Sequence, residues 1–387
     1  MSDKTGNWNY PTSVRFGAGR ITELAEACKS LGMRNPLLVT DPGLAKLPMV
    51  ADAVAACGDA GLAIAVFHNL KPNPIGRNVT DGVDAYRSGG HDGIIAFGGG
   101  SAMDVAKTIA LMNGQDRPIW DFEDVGDNWR RADESAIIPV VAVPTTSGTG
   151  SEVGRATAIT DEDTHTKKII FHPRMMPGVV ISDPALTVGL PPHITAATGM
   201  DAFAHCLEAY FAPGFHPMAN GIALEGMRLV HDWLPIAVAD GTNLTARANM
   251  MAASSMGATA FQKGLGAIHS LSHPVGSIYD THHGLTNAVF MPYVLTFNRP
   301  AIEDPMTRLA RYLGLEKPSF EGVMDWVLAL RQELDIPHTA AELGVEESRI
   351  DELSEMAAKD PTAASNPVPA GPAEMKQMYL AAMEGKV

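Results

Sequence analysis

The sequence predicts two successive domains: an α/β domain built on a parallel sheet, then an all-helical domain. Three observations predict this. Short apolar runs alternate with helical patterns through the first half of the chain, the signature of buried strands in βαβ units. The texture changes near Asp183-Pro184, and beyond Pro191-Pro192 the patterns are mostly long helices. The length, 387 residues, suits two domains at roughly 150 residues each.

In chain order, residues 36–40 (PLLVT) read as a strand that ends at Asp41, Pro42 and Gly43, and residues 62–68 (LAIAVFH) as a second. Val79 to Ser88 reads as a helix. Residues 93–97 (GIIAF) form a strand that stops at Gly98-Gly99-Gly100, and residues 137–143 (IIPVVAV) another before Pro144. Helices are expected at 195–211, 217–239, 243–262, 320–335 and 346–358. Segment 360–373, rich in Pro, Ala and Ser, is expected to be a loop. Gly17-Ala18-Gly19 reads as a turn ahead of the first strand. The expected domains are 1–187 and 188–387, with no internal repeat.

Apolar residues make up 45% of the chain and charged residues 19%, enough for a real core. The net charge of −15, with Lys and Arg scattered, argues against nucleic-acid or anionic-membrane partners. Three cysteines, Cys28, Cys57 and Cys206, give no disulfide framework and suit a reducing compartment. The start, MSDKTGNWNYPTS, has no apolar leader run, and no stretch of about 18 apolar residues occurs. A cytoplasmic location is expected.

Gly98-Gly99-Gly100-Ser101 follows a strand and opens a helix. Glycines let a ligand approach the backbone, and the helix N-terminus adds free N–H groups and dipole, which together make a pyrophosphate cradle. Ser101 supplies a hydroxyl donor or a helix cap; a plain tight turn is the alternative. Asp104, one turn further on, is grouped with the cofactor residues. A second loop, PTTSGTGSEV from Pro144 to Val153, presents the hydroxyls of Thr145, Thr146, Ser147 and Thr149 at another strand end, where open α/β sheets bind ligands. Asp41, at an earlier strand end, is placed to bind an adenosine ribose and to repel a 2′-phosphate, favouring NAD over NADP; it serves equally as a turn former before Pro-Gly.

Asp201 and His205 are four apart in a helical pattern, as are His269 and His273, and His282-His283 follows. One Asp and several His on two helices and a loop can surround a divalent cation, iron or zinc. Spacing alone does not choose among Asp201, His205, His269, His273, His282 and His283.

The stretches GGGSAMDVAK, PTTSGTGSEV, DPALTVGLPP, ATGMDAFAHCLEAY and LGAIHSLSHPVGSIYDTHHGLTNAVFMPYV resemble, in order and spacing, the iron-containing (group III) alcohol dehydrogenases, relatives of glycerol dehydrogenase and dehydroquinate synthase. The resemblance spans most of the chain. It implies a Rossmann-like dinucleotide-binding domain, an all-helical metal domain and an active site between them. It implies metal ligands Asp201, His205, His269 and His283, with His273 near the metal but not binding it. The family's lysine near the cofactor falls at Lys168, next to Lys167, and its cofactor-selecting acid at Asp41. The implied metal is iron(II), with zinc as the other option, and the implied assembly is a homodimer or larger oligomer. Two positions depart from the family: His282 stands where Pro is frequent, and Lys263 is a cation in the segment before His269. Lys263 would greet an acidic substrate or sit as a solvated surface lysine.

The activity this implies is NAD-linked hydride transfer between a small primary alcohol, diol or hydroxy acid and its carbonyl form, with Lewis acidity from the metal. His273 is the candidate proton relay, since imidazole titrates near neutral pH. Two other readings are a metal-dependent lyase or cyclase on the dehydroquinate-synthase-like fold and a non-catalytic dinucleotide-binding sensor.

Overall fold

A strand covered on both faces needs apolar residues at consecutive positions. The runs at 36–39, 93–98, 140–144 and 179–182 supply them, and every residue in them is buried. These runs form the middle of the sheet in a computed structural model that describes residues 12–387. Residues 1–11, which carry most of the stretch read above for its lack of a leader run, lie outside the described residues. The chain forms an α/β unit, residues 12–146 and 150–189, and a helical unit, residues 147–149 and 190–387. The expected domains, 1–187 and 188–387, differ from these units chiefly at 147–149, three residues of the second polar loop.

The α/β unit runs β1 (Ser13–Phe16), α1 (Leu24–Ser30), β2 (Pro36–Val39), α2 (Pro48–Asp59), β3 (Ala65–Phe67), α3 (Gly76–Ser88), β4 (Gly93–Gly98), α4 (Gly100–Met112), β5 (Val140–Pro144), β6 (Ala156–Asp161), β7 (Thr166–Phe171) and β8 (Val179–Ser182). Six strands make one parallel sheet in the order β1-β8-β5-β4-β2-β3. The chain moves outward from β2 to β3, then returns to place β4 on the other side of β2. The order therefore reverses between β2 and β4, where such sheets bind ligands at the strands' carboxyl ends.

Three features differ from the sequence reading. Residues 17–19 form the expected turn, but β1 precedes it. The strand expected at 62–68 shrinks to Ala65–Phe67, because this edge position leaves its residues largely exposed. Residues 156–171 form an antiparallel hairpin, β6–β7, outside the main sheet.

The helical unit contains α5 (Pro192–Phe211), α6 (Pro217–Ala239), α7 (Leu244–Ala260), α8 (Ala267–Tyr279), α9 (His283–Tyr312), α10 (Phe320–Glu333), α11 (Ile350–Lys359) and α12 (Pro372–Glu384). Helix α5 is its axis. From Thr195 to Phe211 every residue except Thr198 is buried, as expected of a helix apolar all round. Segment 360–373 is not wholly a loop: Pro361–Ser365 make a 3₁₀ turn, and α12 begins at Pro372. Among the described residues no helix is long and apolar enough to cross a membrane.

One buried charge ties the α/β unit together. Lys107 of α4 is fully buried, and its ammonium donates to the carbonyls of Ser151 (2.9 Å), Gly154 (3.2 Å) and Ala156 (2.8 Å). Burial pushes its pKa down to about 8. All three donors are matched, so the ammonium pins the chain leading from the second polar loop into β6. Lys107→Met would leave three carbonyls without that donor, and we expect it to destabilise the protein by about 3 kcal/mol in urea unfolding.

Candidate functional site

Neighbouring strands bring the two polar loops of the α/β unit together. Gly98 pairs with Pro144 in the β4–β5 register, and the Thr145 N–H donates to the Gly98 carbonyl (3.0 Å). Gly98 has φ 152°, which L side chains rarely adopt, and an added Cβ would stand 2.8 Å from that of Ala102. The chain then enters α4 with Gly99 as its N-cap and no side-chain cap bond. Ser101 is thus not the cap, and its hydroxyl donates to the Pro72 carbonyl. The first turn of α4 starts at Gly100 and presents the unpaired N–H groups of a helix N-terminus.

Asp41 stands beside this turn. Its Oδ1 accepts the N–H groups of Gly43 (2.8 Å) and Leu44 (2.9 Å), so the turn-forming reading holds for one oxygen. Its Oδ2 accepts no bond among the described residues and lies 3.9 Å from where a Cβ on Gly98 would be. Asp41, Gly98–Ser101, Thr145 and Thr146 therefore share the carboxyl edge of β2, β4 and β5. Ser147 and Thr149 belong to the helical unit's short segment.

Two cofactor assignments change. Both carboxylate oxygens of buried Asp104 are engaged, Oδ1 by the Ser151 hydroxyl (2.7 Å) and Oδ2 by the Ala158 N–H (2.9 Å). Asp104 fixes the loop instead of facing a ligand. Lys168 lies 3.0 Å from Asp161 Oδ2 and 3.7 Å from Glu123, over the Trp120 ring. Alternation along β7 turns Lys167 to the opposite face. There its ammonium lies 3.4 Å from Asn73, next to Pro72, whose carbonyl holds Ser101. Of the two lysines, Lys167 is the one that reaches the loop bonded to Ser101.

In the helical unit, α5 carries Asp201 and His205 on one face, α8 carries His269, and α9 begins with His283. One potential ligand atom from each lies within 4.8 Å of all the others. Asp201 Oδ1 is 3.9 Å from His205 Nε2 and 3.5 Å from His283 Nε2. Asn287, one turn after His283, points its amide nitrogen at Asp201 Oδ1 (2.8 Å), His269 Nε2 (3.2 Å) and His283 Nε2 (3.2 Å). A single NH₂ has two protons for these three acceptors, so the cluster has more lone pairs than donors. That imbalance fits a bound cation. Burial lowers the His205 pKa to about 4, which keeps its imidazole neutral and able to ligate.

Two of the neighbouring histidines, His269 and His273, have a carboxylate behind them. His269 Nδ1 contacts Glu208 Oε2 at 2.5 Å, while Glu208 Oε1 accepts the Ile268 N–H (2.7 Å). Burial opposes a charge on His269, but the Glu208 carboxylate outweighs it and raises that ring's pKa. The His205 ring stacks on His269, centroids 4.7 Å apart, and packs against Phe261. His273 is outside the four-atom cluster; its Nδ1 contacts Asp360 Oδ2 at 2.7 Å, and its ring stacks on His283.

The two departures from the family have local explanations. His282 is the N-cap of α9 and accepts the Leu285 N–H (3.4 Å). Lys263 is part-buried, and two of its three ammonium donors are used inside the protein, on the Tyr210 carbonyl at the end of α5 (3.0 Å) and on Asn220 (2.7 Å); burial lowers its pKa to about 8. The sequence reading passed over Glu208, Asn287, Asp360 and Lys107.

Residues 11–184 match the iron-containing alcohol dehydrogenase family, and residues 195–383 match the C-terminal part of the Fe-containing alcohol dehydrogenase family. A 4-hydroxybutyrate dehydrogenase of Cupriavidus necator is 40% identical over 385 residues, 97% of this chain and 99% of that protein. The crystal structure of a 1,3-propanediol oxidoreductase superposes with a TM-score of 0.93 at 34% identity, covering 98% of this chain and 100% of that one. The sulfoacetaldehyde reductase of Bifidobacterium kashiwanohense, solved with NAD+, gives a TM-score of 0.87 at 29% identity, covering 98% of this chain and 99% of that one.

Gly284 lets α9 start against α5: an added Cβ would stand 2.8 Å from the Asp201 Cβ and run into the Ala197 carbonyl. We expect Gly284→Ala to push His283 away and weaken divalent-metal binding about tenfold or more, measured by metal titration.

Proposed function

The chain belongs to the iron-containing alcohol dehydrogenase family, and on that premise we propose that Asp201, His205, His269 and His283 hold its catalytic metal. As a member it is a metal-dependent, NAD-linked alcohol dehydrogenase with iron(II) and NAD(H) as cofactors. The lyase and sensor readings give way to that membership. The observation that carries the ligand assignment is the convergence of four potential ligand atoms from three helices within 4.8 Å of one another, three of them facing one amide nitrogen.

A metal held there would supply Lewis acidity to the substrate oxygen, and a bound nicotinamide dinucleotide would supply the hydride acceptor or donor. The chain's residues do the rest. Glu208 accepts the Nδ1 proton of His269 and so turns its Nε2 lone pair inward. Phe261 and the His205 ring wall the site with apolar surface. His273 takes the hydroxyl proton in oxidation and returns it in reduction. Gly98–Ser101 and the start of α4 hold the pyrophosphate, Asp41 Oδ2 a ribose hydroxyl, and Lys167 a nearby anionic group. Thr145, Thr146, Ser147 and Thr149 line the second loop of the cofactor site.

The substrate is a short primary alcohol or its aldehyde, with a terminal hydroxy acid first among candidates because the Cupriavidus relative is named for one. Lys263 spends two of its three ammonium donors on Tyr210 and Asn220, so the acid group is not assigned to it. The protein works as a homo-oligomer: among the described residues β1 has one strand neighbour and exposes Val14 and Phe16 at the sheet edge. Its three cysteines, all free and buried, suit the reducing interior of a cell.

The test follows NADH at 340 nm with iron-loaded protein over short alcohols, diols and ω-hydroxy acids, beside His269→Ala. We expect iron-dependent turnover from the native chain. His269→Ala should lose bound iron and turnover while still binding NADH by fluorescence titration. Full activity in that variant would remove His269 from the ligand set, and a panel preference for alcohols without a second polar group would remove the hydroxy-acid assignment.

A further inference from the structure

The segment after α11 was expected to be a plain connection, yet it contacts the helix that carries His269 and His273 in two places. Asn366 Oδ1 accepts the Ala267 N–H at the start of α8 (3.0 Å) and is held there by mutual amide bonds with Asn298 (2.9 and 2.7 Å). Six residues earlier, Asp360 Oδ2 meets His273 Nδ1 at 2.7 Å. The other oxygen of Asp360 accepts the N–H (2.9 Å) and hydroxyl (2.6 Å) of Thr362. A side chain gripped at both oxygens has one orientation, and it is aimed at one nitrogen of one imidazole.

We propose that Asp360 is a positioning residue for hydride transfer: it fixes the His273 proton on Nδ1 and leaves Nε2 bare to take the substrate's proton. This rests on the relay role given to His273 above. An imidazole whose Nδ1–H donates to a carboxylate is the tautomer with its lone pair on Nε2. The ring plane is fixed as well, since it stacks on His283 (centroids 5.4 Å apart, planes 18° apart) and meets His269 edge-on. Neither Asp360 oxygen has to donate: Oδ1 accepts the Thr362 N–H and hydroxyl, and Oδ2 faces His273 Nδ1, so the side chain serves as an acceptor on both sides.

The step balances. In oxidation the alcohol O–H bond breaks and its proton goes to Nε2. The C–H pair leaves as hydride to NAD+, giving aldehyde and NADH. The imidazolium formed is stabilised by Asp360 and then releases its proton to water, so the free enzyme returns to its starting tautomer.

The experiment is a double-mutant cycle on the iron-loaded enzyme, with iron content measured for every variant. His273→Ala should lower kcat about 100-fold. Asp360→Ala should lower kcat about tenfold with KM within about twofold of native, and Asp360→Glu should restore part of the loss. The double variant should be no slower than His273→Ala alone, because Asp360 acts only through that ring. A second readout is the imidazole ¹⁵N spectrum of zinc-loaded protein, assigned by the signal lost in His273→Ala; it should show Nδ1 protonated and Nε2 bare. Additive losses, native kcat in Asp360→Ala, or a proton on Nε2 would each overturn the inference while leaving the His273 role standing. Native kcat in His273→Ala would instead overturn the relay role, and this inference with it. Should Asp360→Ala fail to retain iron, the ¹⁵N spectrum of the unaltered protein decides alone.

Discussion

The 2.5 Å contact between His269 Nδ1 and Glu208 Oε2 carries the central difficulty of the helical unit. Four polar groups must converge inside an apolar core, and a buried imidazole without a second partner is costly and free to turn. Glu208 answers both problems, since its second oxygen also binds the Ile268 N–H and so sets how α8 lies along α5. Tyr379 adds to the same end by donating to the Leu271 carbonyl (2.6 Å), and Asn366 caps the helix start. With α8 fixed at four points, His269 and His273 have fixed positions as a pair. The close approach of α9 at Gly284 then brings His283 and Asn287 to the same place. The metal-binding chemistry is thus a consequence of how three helices are held in register, more than of any single residue.

The α/β unit solves a different problem with the same means. A phosphate-binding turn has to stay open to its ligand, so its rigidity must come from beneath. Lys107 supplies this from the buried face of α4, and Asp104, one turn earlier on that helix, ties the same loop through Ser151 and Ala158. The strand-order reversal between β2 and β4 then places Asp41 and Gly98 side by side at the sheet's carboxyl edge.

Much of this could be read in the chain before its structure. Asp201 and His205 share a helix face because they are four apart, and the glycine run after an apolar strand marks the phosphate turn by local chemistry alone. Glu208 and Asn287 were also within reach: Glu208 is three residues beyond His205, and Asn287 four beyond His283, so each lies on an already suspected face. Asp360 was not, since 87 residues separate it from His273 and no local pattern relates them. The choice between Lys167 and Lys168 was not legible because adjacent lysines on a strand point to opposite faces, and which one reaches Asn73 depends on a hairpin absent from the sequence reading. Lys263 illustrates a different limit: its bonds to the Tyr210 carbonyl and to Asn220 join residues 53 and 43 positions away, which no local pattern relates.

The most direct test of the account is a crystal of iron-loaded protein measured on either side of the iron absorption edge. The account predicts one anomalous peak per chain, enclosed by Asp201, His205, His269 and His283. Catalytically active crystals whose iron peak lies elsewhere, or whose peak is ligated by His273 in place of one of these four, would contradict it.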